Sequence, residues 1–296
     1  MAGDDNQCPS AAVIQMTSGP DVASNLRTAG EHLEAAARMG ARLAVLPENF
    51  ACMPNRETER LEAAEPDGAG PIQDFLAERA DTLGLWIVGG SIALQASPEQ
   101  VWASCLVYDE TGTRRGRYDK IHLFDVSLPG GRESYRESTR IRPGSSTVVL
   151  PTPIGRLGLT ICYDLRFPEL FRELVEQGMD VVAVPSAFTA ATGRAHWDTL
   201  LQARAIENLC WVLAPAQQGR HPNGRETHGH SMIVDPWGRV LERIAEGPGS
   251  VSAKIDLAAQ AKLRREFPAL SHRRIRPGRG EPDSSSINSQ MDKTPA

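Results

Sequence analysis

No apolar run in this chain approaches the roughly 20 residues that a membrane-crossing helix needs, so no membrane partner is expected. A basic excess is missing too. The formal net charge is −5, which gives no reason to expect nucleic acid or an anionic lipid surface as a partner. Cys-x-x-Cys pairs do not occur: the five cysteines, Cys8, Cys52, Cys105, Cys162 and Cys210, are widely and irregularly spaced, so neither a zinc ribbon nor a disulfide framework is indicated. The opening residues 1–7 are acidic and polar and do not read as a secretory signal, which with the unpaired thiols points to a reduced, cytoplasmic protein. Gly-x-Ser-x-Gly and His-Glu-x-x-His are absent as well, removing the serine elbow and one zinc-hydrolase ligand set.

What is present is an ordinary globular composition, 41% hydrophobic and 23% charged over 296 residues. Short apolar runs at 11–16, 43–46, 85–92, 180–184 and 210–215 read as buried strands. Helical spacing of apolar residues covers 22–37 with Gly40 as its stop, then 71–83, 168–177, 197–208 and 256–266. Three pairs of runs flank turn residues and read as hairpins: 102–108 with 113–118, 147–150 with 156–162, and 231–235 with 239–244. Strands alternating with helices, interrupted by hairpins, predict an α/β fold with mixed sheets. No repeat or linker breaks the chain before about residue 277, so one domain over 10–276 is expected, followed by a disordered tail at 277–296 rich in Gly, Pro, Ser and Asn.

Three chemistry-bearing residues stand at or just beyond strand ends, where α/β sheets keep their crevices. Cys162 closes the run Gly158-Leu159-Thr160-Ile161-Cys162 and precedes a helix start at Pro168. Peptide N–H groups and a helix N-terminus there favour a thiolate. Glu48 ends Ala44-Val45-Leu46-Pro47-Glu48, and Lys120 follows a hairpin in Tyr118-Asp119-Lys120-Ile121-His122-Leu123-Phe124. A carboxylate, an ammonium and a thiol are what acyl transfer from an amide needs: a base, an oxyanion stabiliser and a nucleophile. Taken singly, a solvated strand end, a surface charge and a core cysteine explain them equally well.

Together with their flanking residues these stretches resemble the nitrilase superfamily of carbon–nitrogen hydrolases, over roughly residues 10–275. The likeness is strongest to its Nit branch, through Pro185-Ser186-Ala187-Phe188, Arg204-Ala205-Ile206-Glu207-Asn208 and Gly229-His230-Ser231-Met232-Ile233-Val234-Asp235-Pro236-Trp237-Gly238. Ile275-Arg276-Pro277-Gly278 departs from the branch. The resemblance implies a four-layer α-β-β-α sandwich with two mixed central sheets, paired as a homodimer or higher homo-oligomer. It implies Cys162 as nucleophile, Glu48 as general base, Lys120 as oxyanion stabiliser and, more loosely, Glu137 as a second glutamate beside the lysine. No cofactor and no metal are implied. The expected partners are a small-molecule amide and water, the expected products an acid and ammonia, and deaminated glutathione the expected substrate. An ω-amide, an N-carbamoyl compound or a nitrile is the alternative, and a non-catalytic scaffold a remoter one. The peptide N–H of Tyr163 is expected as a further oxyanion donor. Arg166, Arg194 and Arg220 are candidates for substrate carboxylates, and Phe124, Tyr163 and Phe188 for the pocket wall. His122, His196 and His230 carry no specific signal, and His228-Gly229-His230 is read as structural.

Overall fold

Alternation along single strands sets the architecture. In β1 (Ser10–Gln15), Ala11 and Val13 enter one apolar cluster while Ala12 and Ile14 enter another. In β2 (Ala41–Val45), Leu43 and Val45 join the first cluster and Ala44 the second. A sheet apolar on both faces has to be covered on both. The computed structural model, which describes residues 8–128 and 134–275, shows what covers it.

The first sheet has the order β17 (Gly249–Lys254), β1, β2, β3 (Trp86–Val88), β5 (Gln100–Tyr108), β4 (Ile92–Ser97), with β6 (Arg114–Asp119) also paired to β5. The second has the order β16 (Val240–Arg243), β15 (Met232–Val234), β12 (Trp211–Ala214), β11 (Val181–Ala183), β10 (Gly155–Leu159), β9 (Val149–Thr152). Both are mixed: β1, β2 and β3 run parallel in one, β10, β11 and β12 in the other, and the remaining neighbours are antiparallel. The helices are α1 (Val22–Arg38), α2 (Glu57–Glu62), α3 (Pro71–Leu83), α4 (Pro168–Glu176), α5 (Ala190–Asn208) and α6 (Leu257–Glu266). One cluster unites Val13 and Val45 with Leu157, Leu159, Val181 and Ala183 of the second sheet. Ala29 and Leu33 of α1 and Leu76 and Ala80 of α3 cover the other face of the first sheet. A Cβ on Gly158 would meet Leu174 of α4 and Met179, so α4 lies on the far face of the second sheet. This is the expected α-β-β-α order.

Local signals account for most element boundaries. The Asp21 side chain accepts from Ser24 N–H at the start of α1, and Gly40, at φ +77°, takes the left-handed position after its end. Two expectations need correction. The run 85–92 is not one strand: β3 stops at Val88, and Gly90 turns the chain at φ +51° before β4 begins. The helix expected from Trp197 starts instead at Ala190, because Thr189 caps it by accepting from Thr192 N–H. Helix α2, strand β4 and the small ribbons β7 (Asp125–Ser127) with β8 (Ser134–Arg136) and β13 (Gln218–Arg220) with β14 (Glu226–His228) carry no periodicity long enough to read. The tail expected at 277–296 lies outside the described residues.

Gly90 also decides where Glu48 sits. A Cβ at this position would lie 2.0 Å from the Pro47 carbonyl oxygen, so the β3–β4 turn and the Glu48 loop touch backbone to backbone. Gly90→Ala is expected to destabilise the fold by about 3 kcal/mol or more, since it combines a left-handed φ with a clash that no side chain can relieve. Urea melts of the two proteins check this, and a loss under 1 kcal/mol (about the value of an ordinary substitution) contradicts it.

Candidate active site

Three loops after strands bring the chemistry together. Beyond β2, Leu46 N–H still bonds the Val88 carbonyl at 2.9 Å, and Asn49, at φ +56°, donates its N–H to Ser91 Oγ at 2.9 Å. The Glu48 carbonyl accepts from Gln217 Nε2 at 3.1 Å. Glu48 is thereby fixed on both sides and is 4% exposed. Lys120 follows β6 directly. Its N–H bonds the Ala103 carbonyl at 2.9 Å and its own carbonyl accepts from Gly144 N–H at 2.8 Å, leaving the residue 1% exposed.

Cys162 does not end a strand as the sequence suggests. β10 stops at Leu159, and Cys162 opens a 3₁₀ turn, Cys162–Arg166, at φ +49°. Its N–H bonds the Pro185 carbonyl at 2.8 Å. The turn is held by the fully buried Asp164, which accepts from Ile161 N–H at 2.8 Å, Tyr118 Oη at 2.7 Å and His122 N–H at 3.1 Å, with His122 Nδ1 at 2.7 Å. Tyr118 and His122 flank Lys120 in sequence. One carboxylate therefore ties the cysteine turn to the lysine segment.

The functional heads meet. Lys120 Nζ lies 2.8 Å from Glu48 Oε1, and 3.0 and 2.8 Å from the two oxygens of Glu137. Glu137 sits on a single 3₁₀ turn and also accepts from Phe124 N–H at 2.8 Å. The Glu48 carboxylate lies beside the Cys162 thiol, and the N–H of Ala187 faces the same sulfur. Burial alone would lower the Lys120 ammonium, but Glu137 and Glu48 outweigh it and hold its pKa above the usual value. Burial would raise the Glu137 carboxyl; Lys120 and the Phe124 N–H prevail and keep it low.

The thiol behaves otherwise than its place in the sequence predicts. Burial first, then the negative charge of Glu48, push the Cys162 pKa well above normal, and Lys120 with the Ala187 N–H only partly offset them. Cys162 therefore rests as a thiol with the Glu48 side chain next to it, not as a preformed thiolate.

A narrow cavity opens over this group, lined by Glu48, Glu137, Cys162, Phe124, Tyr163, Phe188 and Arg166 among others. Lys120 does not line it; its ammonium lies behind the two carboxylates. Arg194 and Arg220 are exposed and do not line it either, so they are dropped as substrate contacts. In their place the fold brings in Thr189, Thr192 and Arg225. His122 is committed to Asp164 and stacks on Phe167 at 3.7 Å, and His196 reaches the Arg166 guanidinium at 3.3 Å. Among the described residues no group of three His, Cys, Asp or Glu side chains is placed to hold a metal ion.

The chain is similar to several known proteins. The carbon–nitrogen hydrolase family model matches residues 10–265. A deaminated glutathione amidase from Synechocystis sp. is 45% identical over 267 residues, covering 89% of this chain and 97% of the relative. The human deaminated glutathione amidase is 41% identical over 273 residues, 90% of this chain and 83% of its own. The crystal structure of the Caenorhabditis elegans NitFhit protein superposes with a TM-score of 0.84 at 38% identity over 90% of this chain, which spans 65% of that longer protein. A Saccharomyces cerevisiae member of branch 10 of the nitrilase superfamily superposes at 0.81 with 28% identity, covering 91% and 97% of the two chains.

Behind the cavity wall, His228 donates its N–H to the Phe188 carbonyl and stacks on His230 at 4.3 Å. Burial, and then His230, push the His228 imidazole down to about 4. Its unfolded value is near 6.5, so its neutral form contributes stability that is complete above about pH 6.5 and is lost as pH falls toward 4. The melting temperature is expected to fall across that window, and to fall less steeply in His228→Gln. Equal slopes in both proteins would rule this histidine out as a source of acid sensitivity.

Proposed function

Because the chain belongs to the carbon–nitrogen hydrolase family, we propose that it is an amidase hydrolysing the amide that joins the 2-oxo acid end of deaminated glutathione to cysteine. The observation that carries this reading is the meeting of Glu48, Lys120 and Cys162 under one cavity. Relatives named for that activity, 41–45% identical over about nine-tenths of this chain, supply the substrate.

Glu48 takes the Cys162 proton as sulfur attacks the carbonyl carbon. This order follows from the raised thiol: the proton leaves only when bond formation disperses the charge. Negative charge then builds on the carbonyl oxygen. The Tyr163 peptide N–H, near the start of the cysteine turn, donates to it, and the Lys120 ammonium acts from behind the carboxylates through its field. Glu48 passes the proton to the departing nitrogen, the C–N bond breaks, and a thioester remains on Cys162. Water attacks the thioester while Glu48 takes its proton. The C–S bond breaks, sulfur recovers a proton, and the carboxylic acid leaves. Glu137 keeps Lys120 charged and placed. One expectation changes: both amides of deaminated glutathione are substituted, so the leaving group is the amine of cysteinylglycine and not ammonia. Ammonia is released only from a primary amide.

We place the enzyme in the cytoplasm, supported by five free thiols. We also infer that it works as a homodimer or higher homo-oligomer through the exposed apolar residues Ile206, Trp237 and Phe267, the last two in contact at 5.9 Å.

Cys162→Ala is expected to lower kcat/KM for deaminated glutathione by at least about 1,000-fold, and Glu48→Gln by about 100–10,000-fold. Release of the 2-oxo acid measures both. A wild type as inert as Cys162→Ala on this compound and on a panel of small amides would favour a scaffold instead. A wild type that prefers 2-oxoglutaramate would mark an ω-amidase.

A further inference from the structure

The geometry points to Arg225 as the carboxylate anchor of the cavity, gripping an acid group on the acyl side of the scissile bond; this rests on the amide hydrolysis proposed above. Arg225 precedes β14, in the ribbon turn that places it at the cavity wall. Its guanidinium lies over the Tyr135 ring, 5.2 Å from the centroid, and Nη2 donates to the Ala187 carbonyl at 2.5 Å. Among the described residues the rest of its donor fork makes no further hydrogen bond. Nε is buried with no partner among the described residues. A guanidinium N–H shut away from water without an acceptor is costly unless a ligand completes it.

The surroundings say which ligand. Among the described residues no carboxylate pairs with Arg225, because both acidic side chains of the cavity, Glu48 and Glu137, are engaged by Lys120. Thr189, which caps the N-terminus of the 19-residue α5 by accepting from Thr192 N–H, and Thr192 in its first turn line the same cavity. The positive end of a helix dipole thus adds to the guanidinium, and both favour an anion. A planar fork with an open Nε suits a carboxylate held at two points.

Ala187 sets the distance. Its N–H faces the Cys162 sulfur while its carbonyl accepts from Arg225, so the backbone of one residue separates nucleophile from guanidinium. By that route the two heads are roughly 10 Å apart at most. A monoamide of a five-carbon diacid, about 5 Å between its terminal carbons, bridges them with its carbonyl on sulfur and its carboxylate on Arg225. The 2-oxo acid end of deaminated glutathione is such a unit. Arg166 differs: it lies over Tyr163 and Phe188 at 5.8 and 5.3 Å and leans on His196 at the exposed side.

The test compares glutaramate with pentanamide, which differ by the carboxylate, in wild type, Arg225→Gln, Arg225→Lys and Arg166→Gln. In Arg225→Gln the ratio of kcat/KM for glutaramate over pentanamide is expected to fall about 100-fold, mainly through KM, and in Arg225→Lys about 10-fold. Arg166→Gln should change that ratio less than either. A ratio that stays constant, or equal losses on both amides, overturns the assignment. A second readout needs no turnover: in a Cys162→Ala background, calorimetric titration with 2-oxoglutarate should give a Kd at least about 30-fold weaker with Arg225→Gln, and equal Kd values refute it. Turnover of deaminated glutathione with no Arg225 effect sinks this inference alone. Inertness toward deaminated glutathione with the carboxylate preference intact sinks only the substrate reading.

Discussion

An ammonium 1% exposed to solvent is tolerable only if opposite charge meets it, and everything at this site follows from how Lys120 is met. Two carboxylates close on one Nζ, which leaves the buried cluster with one net negative charge. Burial first, and then that negative charge, is why Cys162 keeps its proton: ionising the thiol would set a further charge in a dry place beside Glu48. In the proposed mechanism the group shares its protons, and Glu48 takes one from Cys162 as a carbonyl oxygen takes over the negative charge. Lys120 serves as the counter-charge that lets two carboxylates and a sulfur share a dry place.

Holding such a cluster asks for backbone that cannot drift. Glu48, Lys120 and Cys162 each sit one to three residues past a strand, where ladder bonds have ended and replacements are needed. The Gln217 amide, the Gly144 N–H and the Pro185 carbonyl supply them. Asp164 then locks two of the three loops to each other through four donors from Tyr118, Ile161 and His122. Its charge is spread over bonds that no single deletion can replace. The polar network, more than the apolar core, sets the spacing of the reactive heads.

Much of this was legible because strand runs, hairpin turns and the motifs around Glu48, Lys120 and Cys162 are local in sequence. The failures share a cause: information from distant chain. The first turns of α5 hold Gly193 and lack an apolar stripe, and what permits glycine there is close packing on His228. Arg194 lies near a motif in sequence, yet its position on the helix turns it outward. Arg225 carries no signal in the sequence, since only the pairing of β13 with β14 brings it to the cavity. The acidity of Cys162 does not follow from its own neighbours in sequence, because it is set by burial in the folded core and then by Glu48, far away along the chain.

The left-handed backbone at Cys162 limits what this position can become. A residue branched at Cβ is strongly disfavoured at positive φ, whatever its reactivity. Of the three small side chains that carry a thiol or hydroxyl on Cβ, only cysteine and serine leave that carbon unbranched. Threonine is barred by stereochemistry alone, so the shape of one peptide unit has narrowed the choice of nucleophile before any question of its strength arises.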